Sequence, residues 1–181
     1  RDIAFNAITH HSKAGCVTDA LPFYLIRRLG IENTIEETCG PIGMTASSVD
    51  VFRQRKEEIE LHDGKSFTVM SFQNGQYFRE EITAEKLRIA LDEVQNDLNW
   101  IENNCNILPA ESNLEVSPTI REISKRFGTD LFDSILASDS SRRIFLCEDY
   151  LYRLLATQNG KLPVTWLQPI LMMAKDKKIL S

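Results

Sequence analysis

Histidine is scarce in this chain of 181 residues: there are three, His10, His11 and His62. With so few, no Ser/His/Asp arrangement of a hydrolase can be supported. The four cysteines, Cys16, Cys39, Cys105 and Cys147, contain no C-x-x-C pair. No ligand spacing joins them to the histidines, which argues against a zinc site. They read as reduced thiols, with Cys16 and Cys147 as small buried hydrophobes in strands. Reduced thiols fit a cytoplasmic protein. No apolar run approaches the ~20 residues that span a bilayer, so no membrane partner is expected. No secretory signal is visible, although the chain starts at Arg1 and is read as a piece of something longer. No glycine-rich phosphate loop follows a strand, which weakens a nucleotide-binding reading. Positive charge is short too. A net charge of −5 argues against a broad basic surface for duplex DNA. It permits a cluster of carboxylates awaiting a divalent cation, and a local basic groove.

What is present is an alternation of strands and helices. The most informative stretch runs from Asp133-Ser-Ile-Leu-Ala through Arg142-Arg143-Ile-Phe-Leu-Cys147-Glu148-Asp149 to Ala156. Ile144–Cys147 is a short apolar run of the kind found in a strand buried on both faces. Leu151, Leu154 and Leu155 then recur at helical spacing, so Asp149 stands where a strand's carboxyl end turns into a helix. Gly15–Thr18 reads as an earlier strand ending at Asp19, followed by a helix to Leu29 with Gly30 as its C′ residue. Ile31–Cys39 reads as a short helix and Ile42–Thr45 as strand two. Ser47-Ser48-Val49-Asp50 resembles a capping sequence for a helix to about Ile59.

Residues 62–82 break the alternation. Two β-rich runs flank Asn74-Gly75, a hairpin signal. Leu87, Leu91, Val94, Leu98 and Ile101 then mark an amphipathic helix. Cys105–Pro109 is extended enough to pair in the sheet. A loop over 110–117, helices over 118–127 and 130–138, a turn at Asn159-Gly160, a last strand at 163–165 and a last helix over 166–175 complete the chain. Residues 1–14 read as polar and irregular, a linker or the tail of an upstream helix or region, and 15–181 as one domain with the hairpin inserted. The expected class is α/β: a three-layer α/β/α sandwich around a mostly parallel sheet.

In such a sheet, ligands bind at the carboxyl edge of the strands. Asp19 and Asp149 end strands, Asp133 lies on the helix before the second of them, and Asp50 opens the helix after strand two. If these strand ends adjoin, the carboxylates converge, and like charges so close resist joint ionisation unless a cation joins them. Hard oxygen ligands select Mg²⁺ or Mn²⁺, which activates water against a phosphodiester. A plainer reading stands beside this one. Asp is a preferred N-cap, Asp133 is equally a solvated helix residue, and Glu148 alternates away from Asp149. Arg142-Arg143 begin a strand and belong at the opposite edge. Arg53 and Lys125 are the bases best placed to meet phosphate. Trp100 and Trp166 are assigned to helices and to the core rather than to base stacking.

These residues resemble the PIN-domain family. Asp133-Ser-Ile-Leu-Ala with Ile-Phe-Leu-Cys-Glu-Asp149-Tyr-Leu-Tyr-Arg-Leu-Leu-Ala is similar to its helix acid, strand and following acid, and Thr18-Asp19-Ala-Leu to its first acid. Ile42-Gly-Met-Thr-Ala-Ser-Ser-Val-Asp50, the Asn74-Gly75 hairpin and the tail from Val164-Thr-Trp-Leu-Gln168 resemble a bacterial branch fused behind tetratricopeptide or Gre-factor-like regions. The resemblance implies a Mg²⁺- or Mn²⁺-dependent endoribonuclease. Asp19, Asp133 and Asp149 would hold the metal and Asp50 would assist. RNA is the expected substrate, single-stranded DNA the second choice, and upstream domains of the same chain the expected partners. A homodimer is left open. The family has Glu on the helix after strand two. Here Asp50 is the nearest acid, one methylene shorter, and Glu57 and Glu58 lie further along. That departure motivates an alternative: a PIN-like scaffold without catalysis inside a multidomain protein.

Overall fold

The structure is a computed structural model. It describes residues 2–62, 64–111, 128–160 and 162–180, with the side chains of 158–160 excepted. The helix expected over 118–127, most of the loop before it, and Lys125 lie outside the described residues. Two compact units make up the chain: Arg1–Val51 with Asn103–Ser181, and Phe52–Glu102.

The first unit holds β1 (Cys16–Thr18), β2 (Ile42–Thr45), β5 (Asn106–Leu108), β6 (Ile144–Leu146) and β7 (Val164–Thr165). They form one parallel sheet in the spatial order β5-β2-β1-β6-β7. The chain steps outward from β1 to β2 and β5, then returns to β6 on the other side of β1. That reversal lies between β1 and β6, the place where a crevice opens at the carboxyl edge of a doubly wound sheet. Every residue of β1, β2 and β6 is buried, as expected for strands covered on both faces. The covering helices are α1 (Asp2–His11), α2 (Ala20–Leu29), α3 (Glu32–Cys39), the start of α4 (Ala46–Glu60), α6 (Thr129–Ser141), α7 (Tyr150–Gly160) and α8 (Leu167–Asp176). α1, α3 and α8 pack together, and α6 packs with α7 and against β1, β2 and β6. The expected three-layer architecture is the one observed.

Local chemistry explains the boundaries. Gly30 ends α2 in the left-handed region, with φ +63°, where a Cβ is strained. Three expectations differ from the structure. Residues 2–11 are regular helix, the alternative to the irregular reading, and bury Ala4, Ala7 and Ile8. Two alanines and one isoleucine make too weak an apolar stripe to stand out of a polar sequence. α4 starts at Ala46, directly after β2, so Ser47-Ser48 lie inside it. The hydroxyl that accepts from the Ser48 amide belongs to Thr45, at 3.3 Å. α7 runs on through Asn159-Gly160, read as a turn.

The second unit contains the remainder of α4, the hairpin of β3 (Phe67–Gln73) and β4 (Gln76–Ile82), and α5 (Ala84–Asn104) as far as Glu102. Asn74 and Gly75, both at positive φ, make the two-residue turn. Leu87, Leu98 and Ile101 of the expected amphipathic helix are buried. No helix of the described residues is long and apolar enough to cross a membrane.

Candidate functional site

The strand register brings the acids to one edge. Thr18 of β1 pairs with Leu146 of β6, and Leu146 with Thr165 of β7. The next residues, Asp19, Cys147 and Trp166, therefore stand side by side just past the strand ends. Cys147 is outside β6 proper, although its amide still donates to the Thr165 carbonyl at 3.1 Å.

Asp19 is 2% exposed. It is the N-cap of α2: its Oδ1 accepts from the Leu21 amide at 2.9 Å. Its Oδ2 is buried with no hydrogen-bond partner. The Cys147 thiol has one weak proton to give and two acceptors beside it, the Asp149 carbonyl at 3.8 Å and the Asp19 carboxyl. Burial pushes the Asp19 carboxyl up to about 7; the Leu21 amide and the Cys147 thiol oppose this, and the charges of Asp130 and Glu148 add to it. Burial first, then the Asp19 charge, raises the Cys147 thiol.

Asp149 is exposed and caps α7 in the same way, its Oδ1 accepting from Leu151 at 2.8 Å and Tyr152 at 3.1 Å. The capping reading is thus correct for both acids. It does not exclude the chemical one, because each of these caps engages Oδ1 and a carboxylate has two acceptor oxygens. Asp133 is half-buried on α6, and its charge acts on Asp130, whose carboxyl is raised mainly by its own burial. Asp50 is exposed on α4, on the other side of the helix from buried Ser48 and Val49. Arg53 is exposed in the second unit. Arg143 donates to the Pro41 carbonyl at 3.4 Å, at the amino edge of the sheet as expected.

At the end of β2, hydroxyls stand where an acid was sought. Thr45 Oγ1 lies 2.9 Å from Ser48 Oγ, which lies 3.2 Å from Ser134 Oγ on α6. Ser134 donates to the Asp130 carbonyl at 2.8 Å. This buried chain ties α4 to the first turn of α6 and so seats Asp130.

Four residues were missed by sequence reasoning. Asp130 sits a turn before Ser134, on the α6 stripe that faces β1 and β2; the buried small residues Ser134, Ala137 and Ser138 mark that stripe. Glu148, read only as alternating away from Asp149, has its own place: its Oε1 accepts from the Leu167 amide at 2.8 Å, at the start of α8, while its charge reaches Asp19. Arg153 Nη1 donates to the carbonyls of Cys147 and Glu148, both at 2.7 Å, and fixes the loop that carries the acids. Tyr152 is 7% exposed and its hydroxyl has no partner. Burial raises it, and the charges of Asp149, Asp130 and Asp19 raise it further. Only the i+3 spacing of Tyr152 and the i+4 spacing of Arg153 from Asp149 hinted at these roles.

Among the described residues, three buried side-chain polar atoms lack a partner, and two of them, Asp19 Oδ2 and the Tyr152 hydroxyl, are here. An unpartnered carboxylate oxygen beside further acids fits a hard divalent cation. No three acids, histidines or cysteines of the described residues are already closed into a ligand set, so binding requires side-chain movement. Among curated proteins and solved structures, no match to this chain is found. The family described as the PIN domain associated with the TPR-GreAB-C-PIN system matches residues 17–158. That span runs from within β1 to near the end of α7 and includes Asp19, Asp130, Asp133, Glu148 and Asp149. The order of the strands, the acids at their reversal point and the extent of this match make the chain a member of the PIN-domain family.

Proposed function

We propose that this chain is a divalent-cation-dependent endoribonuclease domain, with Asp19, Asp133 and Asp149 as the carboxylates that hold Mg²⁺ or Mn²⁺ and Asp130 as a fourth. The observation that carries the proposal is Asp19: a buried carboxyl with one oxygen committed to a cap and the other unpaired, beside the charges of Asp130 and Glu148. When bound, such an ion supplies activation of water and stabilisation of charge on a phosphodiester. The chain's own part is positioning. The caps on α2 and α7 hold Asp19 and Asp149 in fixed rotamers, and Arg153 clamps the loop between them. RNA is the substrate of this reading, and tetratricopeptide and GreAB-C regions are its partners, in keeping with the family description. The unpaired thiols fit a reducing, cytoplasmic setting.

The test is cleavage of labelled RNA in Mn²⁺ by the wild type and by Asp149→Asn, in which the amide oxygen still caps α7. Loss of cleavage in the variant is expected; equal cleavage by both sinks the proposal.

A second reading, a PIN module that binds without cutting, rests on the Thr45-Ser48-Ser134 hydroxyl chain and on the exposed Asp50. Thermal unfolding separates the two. An ion that binds only the native state raises the melting temperature. Absence of a shift at millimolar Mn²⁺ favours the module without catalysis.

A further inference from the structure

A cavity of about 330 Å³ opens next to the acidic edge, lined chiefly by Tyr150, Arg153, Leu154, Thr157, Val164 and Trp166. We propose that it receives one unpaired base of a single-stranded nucleic acid, stacked on the Tyr150 ring and the Arg153 guanidinium. The identity of the ligand rests on the nuclease reading above; the pocket itself rests on four observations.

The walls are the right kind. Tyr150 is 67% exposed, and Trp166, expected in the core, stands half-buried at the N-cap position of α8 and lines the cavity. Aromatic rings and guanidinium planes are the surfaces on which unpaired bases stack, whatever the sequence.

The walls are also held in place. Arg153 lies with its Cζ 4.6 Å from the Trp166 ring centre and 5.9 Å from that of Tyr150. Its Nη1 is committed to two backbone carbonyls, so the guanidinium plane is set before any ligand arrives.

Charge points the same way. In a chain of net charge −5, the residues lining this cavity include one cation and no acid. Its volume is at the lower end of the roughly 300–1,000 Å³ typical of small-molecule sites. That leaves room for a base with its sugar, whereas a duplex keeps its base faces covered.

Finally, the cavity adjoins the acids through the backbone. Tyr150 follows Asp149, and Arg153 grips the carbonyls of Cys147 and Glu148. A base seated here places its own phosphate near the acidic edge.

The experiment is done in EDTA, so that no strand is cut. The full chain carrying Trp100→Phe leaves Trp166 as the sole tryptophan. It is titrated with a single-stranded RNA of about eight nucleotides and with an abasic strand of the same length. Saturable quenching of Trp166 by the RNA is expected, with binding of the abasic strand about tenfold weaker or more and without quenching. Anisotropy of labelled RNA, which needs no tryptophan variant, should show Tyr150→Ala weakening binding about tenfold, with thermal unfolding unchanged because the ring is exposed. Equal affinity for the two strands, or no effect of Tyr150→Ala, overturns the proposal. So does quenching by an apolar peptide where RNA gives none, which makes the cavity a protein-docking site. RNA quenching without cleavage in Mn²⁺ keeps the base pocket and removes the nuclease. Cleavage without base-dependent quenching does the reverse.

Discussion

At the carboxyl edge of the sheet, Asp19 is 2% exposed with an oxygen that has no partner. In the hairpin, Phe72 and Tyr77 face each other 61% and 76% exposed, their rings 4.8 Å apart, on a ladder whose register is complete from Phe67 to Ile82. One region buries polar atoms unsatisfied; the other leaves apolar rings in water while satisfying its backbone. The hairpin is a local structure, written in contiguous residues and closed by a two-residue turn. The acidic edge is assembled from α2, α6, the β6–α7 loop and the end of β2, and holds buried polar atoms without partners. A fold can carry such groups because the surrounding core stabilises the native state by far more than they cost.

The contrast should be widest for core truncation. Phe145→Ala, in the centre of β6 and fully buried, is expected to cost about 3–5 kcal/mol. Phe72→Ala in the hairpin is expected to change stability by less than about 0.5 kcal/mol. Urea midpoints with unchanged slope would show both; a loss above ~1 kcal/mol for Phe72→Ala would mean that its ring has a partner besides Tyr77.

Next in size is Asp19→Asn. The folded carboxyl titrates near 7 against an ordinary 3.8. Between those values the native state holds a proton that the unfolded chain has lost. The Asp19 contribution to stability is therefore greatest below the unfolded value, falls as the pH rises towards 7, and stays low above it. Asn keeps the cap and removes the buried charge. At pH 8 without metal it should stabilise by an amount on the order of a few kcal/mol, shrinking towards zero at pH 4, and it should abolish any Mn²⁺-induced shift. Melting curves across that pH range decide it; a destabilised variant at pH 8 contradicts the burial account.

Tyr152→Phe removes a buried hydroxyl that has no partner in the structure. Neutral to about 1 kcal/mol of added stability is expected, and a loss of more than ~1 kcal/mol would reveal a bond the hydroxyl makes in solution. Gly75→Ala forces a Cβ into φ +78° and should cost about 1 kcal/mol, confined to the hairpin and read by hydrogen exchange of its ladder.

Much of this fold was legible in the chain. The strand Ile42–Thr45 was read to its exact ends, and Asn74-Gly75 identified the hairpin, because short strand-forming runs and turn chemistry act over a few residues. α1 was read only loosely, as irregular or the tail of a helix, because Ala4 and Ala7 bury little side chain. Asp19 and Asp149 were found because an acid between an apolar strand and a helix is visible locally. Asp130 and Glu148 were not, since neither terminates an element. Nor was the role of the hydroxyls of Thr45, Ser48 and Ser134, whose meeting depends on α6 crossing the end of β2.

By itself the sequence determined most of the strands and helices, that Gly30 and Asn74-Gly75 turn the chain, and which acids could cap a helix. These are decided by backbone sterics and the burial of nearby side chains, within windows of a turn or two. Only the tertiary structure decided that Asp130 and Glu148 lie close enough for their charges to act on Asp19, and that Arg153 and Trp166 line one cavity. Those outcomes follow from the spatial order of five parallel strands. That order is set by packing the whole core at once, and no local stretch records it.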